Sequence, residues 1–151
     1  IGVIRHAIGW YENNGELYDL LMLLQPTSPL REKEDIDKAI KLIFTKDAKA
    51  LVSVCKVDPY PYWSNRLPRN WCMKNFIKPG DAKFNRQELP IFYRLNGSIY
   101  LAYYDYLKRQ KSFFGNKTYA YMMPRDKSVD IDNKMDFQFA EFLIKKGSVN
   151  L

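Results

Sequence analysis

A short, nearly continuous apolar run, Tyr18 to Leu24, ends at a turn bounded by two prolines, Gln25-Pro26-Thr27-Ser28-Pro29-Leu30-Arg31. Such a run predicts a strand buried on both faces of a parallel sheet. The period then changes. Ile36, Ala39, Ile40 and Ile43 recur as on one face of a helix, with Glu32, Glu34 and Asp35 near its N-terminus, where the helix dipole favours negative charge. Ile1, Ile4, Ala7, Ile8 and Tyr11 predict an earlier helix, stopped by Asn13-Asn14-Gly15, and Leu51 to Cys55 is a second β-rich run. Helix, strand, helix, strand in these lengths predicts an α/β fold with a mostly parallel sheet and right-handed crossovers.

Between Val57 and Tyr93 no period lasts. This stretch holds five of the eight prolines, eight aromatic residues, and six Lys or Arg against three acids. A connection of that length and composition reads as a functional loop, or as an insertion that needs a partner to bury its rings. Regular patterning resumes with a strand over Ser98–Ala102, a short helix to about Lys111, a strand over Thr118–Met123, and a helix over Met135–Lys146. Asn133 followed by Asp136 predicts a capping box for that last helix.

Composition narrows the function classes. The chain has 151 residues, about one domain, and is 46% hydrophobic, which supports a packed core. Its net charge of +7 suits nucleic acid, an anionic membrane face, or small acidic and phosphorylated ligands. No apolar run in the first half approaches the length of a bilayer span, and the opening residues lack a basic-then-apolar leader pattern. Cys55 and Cys72 form no CxxC motif, and reduced thiols in a cytoplasmic setting are the simplest account of them. The single histidine, His6, reads as a helix-surface residue, which leaves little room for a catalytic triad or a histidine metal site.

Three constellations carry polar chemistry. The Pro-bounded turn holds Gln25, Thr27 and Ser28 where a strand ends, the place at which open α/β sheets bind ligands; a plain connection whose hydroxyls cap the next helix accounts for it equally well. Asp130-Ile131-Asp132, if extended, puts two carboxylates on one face and Ile131 on the other, a donor pair suited to Mg²⁺ or a solvated lead-in to the last helix. Arg86, in Arg86-Gln87-Glu88-Leu89-Pro90, and Arg94 offer planar forks for carboxylate or phosphate. Asn96, Ser98 and Tyr100 alternate onto one face if the strand begins at Asn96, with Gly97 permitting close approach. Phe113 and Phe114 supply an apolar wall or simply core.

In order and spacing, LLQPTSPLR, RQELP, YRLNGSIYL, FF, and SVDIDNKMDF with FAEFL resemble the acylneuraminate cytidylyltransferases, the CMP-sialic acid synthetases and their relatives for legionaminic and pseudaminic acid. The resemblance implies a Rossmann-like nucleotidyltransferase fold with an irregular dimerisation insertion at about 57–93. It implies a cytoplasmic homodimer that joins CMP from CTP to a nine-carbon 2-keto sugar acid with Mg²⁺, releasing pyrophosphate. By position, Gln25 would contact the sugar, with Thr27 and Ser28 shaping the turn. Arg86 would lie near the sugar carboxylate, Asn96 and Tyr100 would line the pocket, and Phe113 and Phe114 its wall. Asp130 and Asp132 would bind the metal, with Asp132 the leading catalytic residue. Arg94 falls within the same substrate-binding stretch.

Three departures stand out. Asn133 replaces the threonine of the family's DIDT, and Tyr62-Trp63-Ser64 stands where many relatives carry a lysine. The family's basic, glycine-containing CTP-binding loop would precede Ile1, so residues 1–151 read as one incomplete nucleotidyltransferase domain. The competing readings are a fragment that keeps only sugar-binding or dimerisation surface, and a nucleic-acid module using Trp63, Arg66, Arg69, Trp71 and Lys74. Those five fall in the family's dimerisation insertion, so the resemblance predicts neither nucleic acid nor membrane as partner.

Overall fold

The computed structural model describes residues 2–57, 61–77 and 90–149. Their elements are α1 (Gly2–Asn13), β1 (Leu20–Leu23), α2 (Lys33–Thr45), β2 (Ala50–Lys56), a 3-10 turn (Pro61–Trp63), β3 (Tyr93–Tyr103), α3 (Tyr104–Gln110), β4 (Thr118–Met122) and α4 (Lys134–Lys145). No helix among the described residues is long and apolar enough to cross a membrane. His6 is exposed on α1, and both cysteines are free, Cys55 buried and Cys72 exposed.

The strands form one sheet in the order β1-β3-β2-β4. β3 pairs antiparallel with β1 and with β2, while β2 pairs parallel with β4. Three strands therefore run one way and β3 the other: an α/β fold with a mixed sheet, as in a Rossmann-like nucleotidyltransferase, rather than a mostly parallel one. The physical reason lies in the connection from 57 to 92. It returns the chain to its own starting point, where the Val57 amide donates to the Phe92 carbonyl at 2.8 Å and Lys56 pairs with Tyr93. The long insertion is thus the loop between two antiparallel neighbours and needs no crossover helix.

β1 corrects a second expectation. Among the described residues it lies at the edge of the sheet with one ladder, and all four of its residues are half-buried. Its side chains are apolar on both sides because Leu20 and Met22 face one layer and Leu21 and Leu23 the other. On the first layer α2 packs Ala39 and Ile43 against Leu51, Ile99 and Leu101. On the second, α3 contributes Leu107, with Phe113 and part-buried Ile4 of α1 against Val52 and Ala102. A third, smaller cluster joins α4 (Ala140, Leu143) to Leu30 and Val149, with Val129 and Ile131 packed on it.

α4 starts as its sequence predicts. Asn133 Oδ1 accepts from the Met135 and Asp136 amides, and Asp136 Oδ2 accepts from the Asn133 amide at 3.1 Å. This reciprocal cap satisfies amides that the first helical turn leaves without partners. At α2 the N-cap is Glu32, whose amide donates to the Asp35 carboxylate at 3.0 Å.

Candidate active site

The site is built where the turn after β1 meets the loop before α4. Within the turn, the Ser28 amide donates to the Gln25 carbonyl, and Arg31 Nη1 donates to the carbonyls of Gln25 (3.0 Å) and Ser28 (2.6 Å). Arg31 is the clip that sequence patterning did not single out. Its partial burial lowers its pKa from that of a free guanidinium. Leu30, fully buried in the α4 cluster, anchors the same turn by its apolar side chain.

The second segment lies directly against the first. The Ile131 amide donates to the Thr27 carbonyl at 2.7 Å, and Ser28 Oγ donates to Asp130 Oδ1 at a looser 3.4 Å. Ile131 is half-buried, whereas Asp130 and Asp132 are both exposed, the alternation expected of an extended DID. Thr27 contributes its carbonyl to this contact, and its residue is exposed.

Gly97 of β3 closes the arrangement from below. Its φ is +74°, and a Cβ there would lie 2.4 Å from both Gln25 Oε1 and Ser28 Oγ. Only glycine accommodates that conformation and that contact together. The residues around it depart from the expected alternation. Val52 pairs with Tyr100 and Val54 with Leu95, so two steps on β2 face five on β3. In this bulge Asn96, Ser98 and Ile99 are all buried. Ser53 of β2 fills the gap, donating to Asn96 Oδ1 at 2.6 Å and accepting from the Ile99 amide at 2.7 Å.

Asn96 Nδ2 donates in turn to Ser128 Oγ at 2.8 Å, so its amide joins the bulge to the 124–130 loop. Its present partners are all within the protein. Arg94 reinforces the same junction, Nη2 donating to the Ser128 carbonyl at 2.8 Å. Ser98 Oγ is the one buried polar side-chain atom left without a hydrogen bond among the described residues.

Tyr100 packs against Phe113 with the rings tilted by 54° and their centroids 5.3 Å apart. Its hydroxyl pKa is raised, first by burial and then by the negative charge of Asp130, which puts the two groups in one electrostatic neighbourhood. The two phenylalanines separate in role: Phe113 is in the core beneath Tyr100, and Phe114 is half exposed. Gln25, Ser28, Tyr100, Phe113 and Asp130 are thus brought together; Arg86 lies outside the described residues.

A groove of about 440 Å³ opens beside Asp130, with Lys56, Arg94 and Arg125 among its walls and Phe139 and Leu143 of α4 along one side. Lys56 and Arg125 were not singled out from the sequence because the fold alone assembles them. Among the described residues no three His, Cys, Asp or Glu side chains form a metal-binding group. Asp130 and Asp132 remain a pair of exposed oxygen donors. That donor set fits Mg²⁺, which takes one or two carboxylates and fills its octahedron with water and phosphate oxygens.

No protein-family model matches the chain. It is 34% identical over 138 residues to the N-acylneuraminate cytidylyltransferase of Escherichia coli O18:K1:H7, covering 91% of this chain and 32% of that protein. The protein of that name from Streptococcus agalactiae serotype V is 34% identical over 89% of this chain and 32% of its own length. The CMP-N,N'-diacetyllegionaminic acid synthase of Legionella pneumophila is 34% identical over 85% of this chain and 55% of its own length. The chain therefore spans between about a third and about half of these curated relatives. Over nine-tenths of its own length, this chain is similar to N-acylneuraminate cytidylyltransferases.

Proposed function

We propose that the protein transfers CMP from CTP to a nine-carbon 2-keto sugar acid of the sialic, legionaminic or pseudaminic type, releasing pyrophosphate. The observation that carries this reading is the direct contact between the Pro-bounded turn and the DID segment, Ile131 amide to Thr27 carbonyl and Ser28 to Asp130. It sets the turn that we assign to the sugar against the segment whose two carboxylates we assign to the metal. The names of the relatives, cytidylyltransferase and CMP-legionaminic acid synthase, support the reaction class.

In the proposed reaction the anomeric hydroxyl of the sugar attacks the α-phosphorus of CTP. A sugar O–P bond forms, the bond to the bridging α–β oxygen breaks, pyrophosphate leaves with that oxygen, and the hydroxyl proton passes to water. Asp132 and Asp130 would hold Mg²⁺, which would supply a lowered pKa for the hydroxyl and offset phosphate charge. Gln25 and Tyr100 orient the sugar over Phe113, with Phe114 at the rim, and Asn96 keeps the bulge and the 124–130 loop in register. Arg94, with Lys56 and Arg125 on one groove, supplies positive charge to anionic groups, and Arg86 serves the sugar carboxylate, as the family resemblance implies. A homodimer formed through the 57–93 insertion, working in the cytoplasm, completes the proposal.

The test is pyrophosphate release by the full-length protein from CTP, a nonulosonic acid and Mg²⁺. Asp132→Ala is expected to lower the rate at least ~100-fold, since even residues that only orient metal ligands are worth about 10- to 100-fold. Turnover retained in that variant removes the metal assignment.

A further inference from the structure

We infer that Lys127 is a positioning residue that clamps the DID loop onto the Pro-bounded turn, and that Glu32 and Asp35 are its anchor. Lys127 Nζ pairs with Glu32 and, at 3.1 Å, with Asp35. All three side chains are largely out of solvent, with relative exposures of 15%, 13% and 5%. Asp35 also accepts from the Tyr121 hydroxyl at 3.2 Å, and its carboxylate holds the Glu32 amide. The cation therefore enters a receptor already fixed to β4 and to the start of α2.

The position of this network in the chain gives it its meaning. Glu32 follows directly on Arg31, the residue that clips the turn, and Lys127 stands three residues before Asp130. One ammonium group thus joins the two segments whose contact forms the candidate site, across more than ninety residues of sequence. Among the described residues the polar contacts between those segments are one backbone hydrogen bond and the loose Ser28–Asp130 contact, beside the apolar packing of Val129 and Ile131 on the cluster that holds Leu30. A buried charge is costly unless it is paired, so Lys127 has one low-energy location, and the loop follows it. Exposed pairs such as Lys117–Asp47 have no such constraint and fix nothing.

The catalytic part of this inference rests on the proposed transferase activity, and the structural part does not, so the experiment has two arms on the full-length protein. In the first, amide hydrogen exchange is followed at Ile131. Lys127→Met is expected to speed it at least ~10-fold, because the Thr27–Ile131 bond loses its lateral support. Lys127→Arg should restore protection to within about threefold, the guanidinium spanning the same two carboxylates. Lys127→Met with Glu32→Gln removes the charge imbalance, and it decides the matter if the single variant fails to fold.

In the second arm, pyrophosphate release is titrated with Mg²⁺. Half-saturation should shift upward about 10-fold in Lys127→Met and return with Lys127→Arg. Unchanged Ile131 exchange overturns the clamp. A lower melting temperature with an unchanged Mg²⁺ profile reduces Lys127 to a stabilising residue and overturns its positioning role. A wild-type protein without activity refutes the transferase reading, while the exchange arm still decides the clamp.

Discussion

Two regions of this molecule are held by different means. On the side of the candidate site, the turn after β1, the bulge of β3 and the 124–132 loop are joined by buried polar contacts: Ser53 to Asn96, Asn96 to Ser128, Tyr121 and Lys127 to Asp35. At α1, by contrast, no residue is buried and the helix rests on half-buried contacts. Ile4 leans on the second core cluster, Glu12 meets the Tyr104 hydroxyl and Lys108, and an apolar hollow of about 260 Å³ remains between α1 and β1. Directional, desolvated contacts define one geometry and penalise any shift, whereas exposed apolar contacts tolerate many. The rigid side is the one that carries the carboxylates and hydroxyls of the candidate site.

The largest expected effect comes from breaking the rigid side at Gly97. Gly97→Val places a branched side chain at φ +74° and within 2.4 Å of Gln25 and Ser28 atoms. Backbone strain of about 1–3 kcal/mol and overpacking of similar size predict a loss of at least about 2 kcal/mol. Urea unfolding measures it. A loss below about 1 kcal/mol would show that the turn shifts freely and that the rigid side is not rigid.

A smaller effect is expected from Tyr121→Phe, and it depends on pH. At neutral pH the variant loses a hydrogen bond to a charged group, about 1.5–3 kcal/mol. Burial, and next the charge of Asp35 and the bond donated to it, push the Tyr121 hydroxyl up to about 12. Between the ordinary tyrosine value of 10 and that figure, the unfolded chain releases this proton while the folded chain keeps it. The folded state binds more protons there, so stability falls as pH rises through the window. Lys127 acts with the same sign: burial alone would lower its pKa, but Glu32 and Asp35 outweigh that and raise it, so its contribution to stability declines once pH climbs past its ordinary value. Wild-type stability should therefore decline more steeply than that of Tyr121→Phe between pH 10 and 12. Parallel slopes would take Tyr121 out of the network.

How much of this was legible in the sequence follows the same division between local and distant causes. The cap of α4 was readable because Asn133 and Asp136 are three residues apart and act through backbone between them. The helical periods and the DID alternation were readable for the same reason. The bulge was not: alternation of Asn96, Ser98 and Tyr100 fails because Ser53, 43 residues earlier, supplies the bond that lets the strand depart from register. The mixed sheet was hidden because nothing within β2 or β3 says whether the insertion returns the chain to its start or carries it across. Of the candidate site, motif order singles out Gln25, Ser28, Tyr100 and Asp130, which the fold brings together, whereas Arg31 and Lys127 carry no local signal because their partners are set by the fold.

The smallest predicted effect lies on the loose side and sharpens the contrast most directly. Val3 is 84% exposed on α1. Val3→Ala removes little buried surface, and alanine is the better helix former because it loses no side-chain rotamer freedom. The two effects predict a change within about 0.5 kcal/mol, tending towards stabilisation. Thermal unfolding of the two proteins side by side measures it. A loss above about 1 kcal/mol would mean that the outer face of α1 is covered in solution, and the division between a polar, fixed side and an apolar, yielding one would then have to be redrawn around whatever covers it.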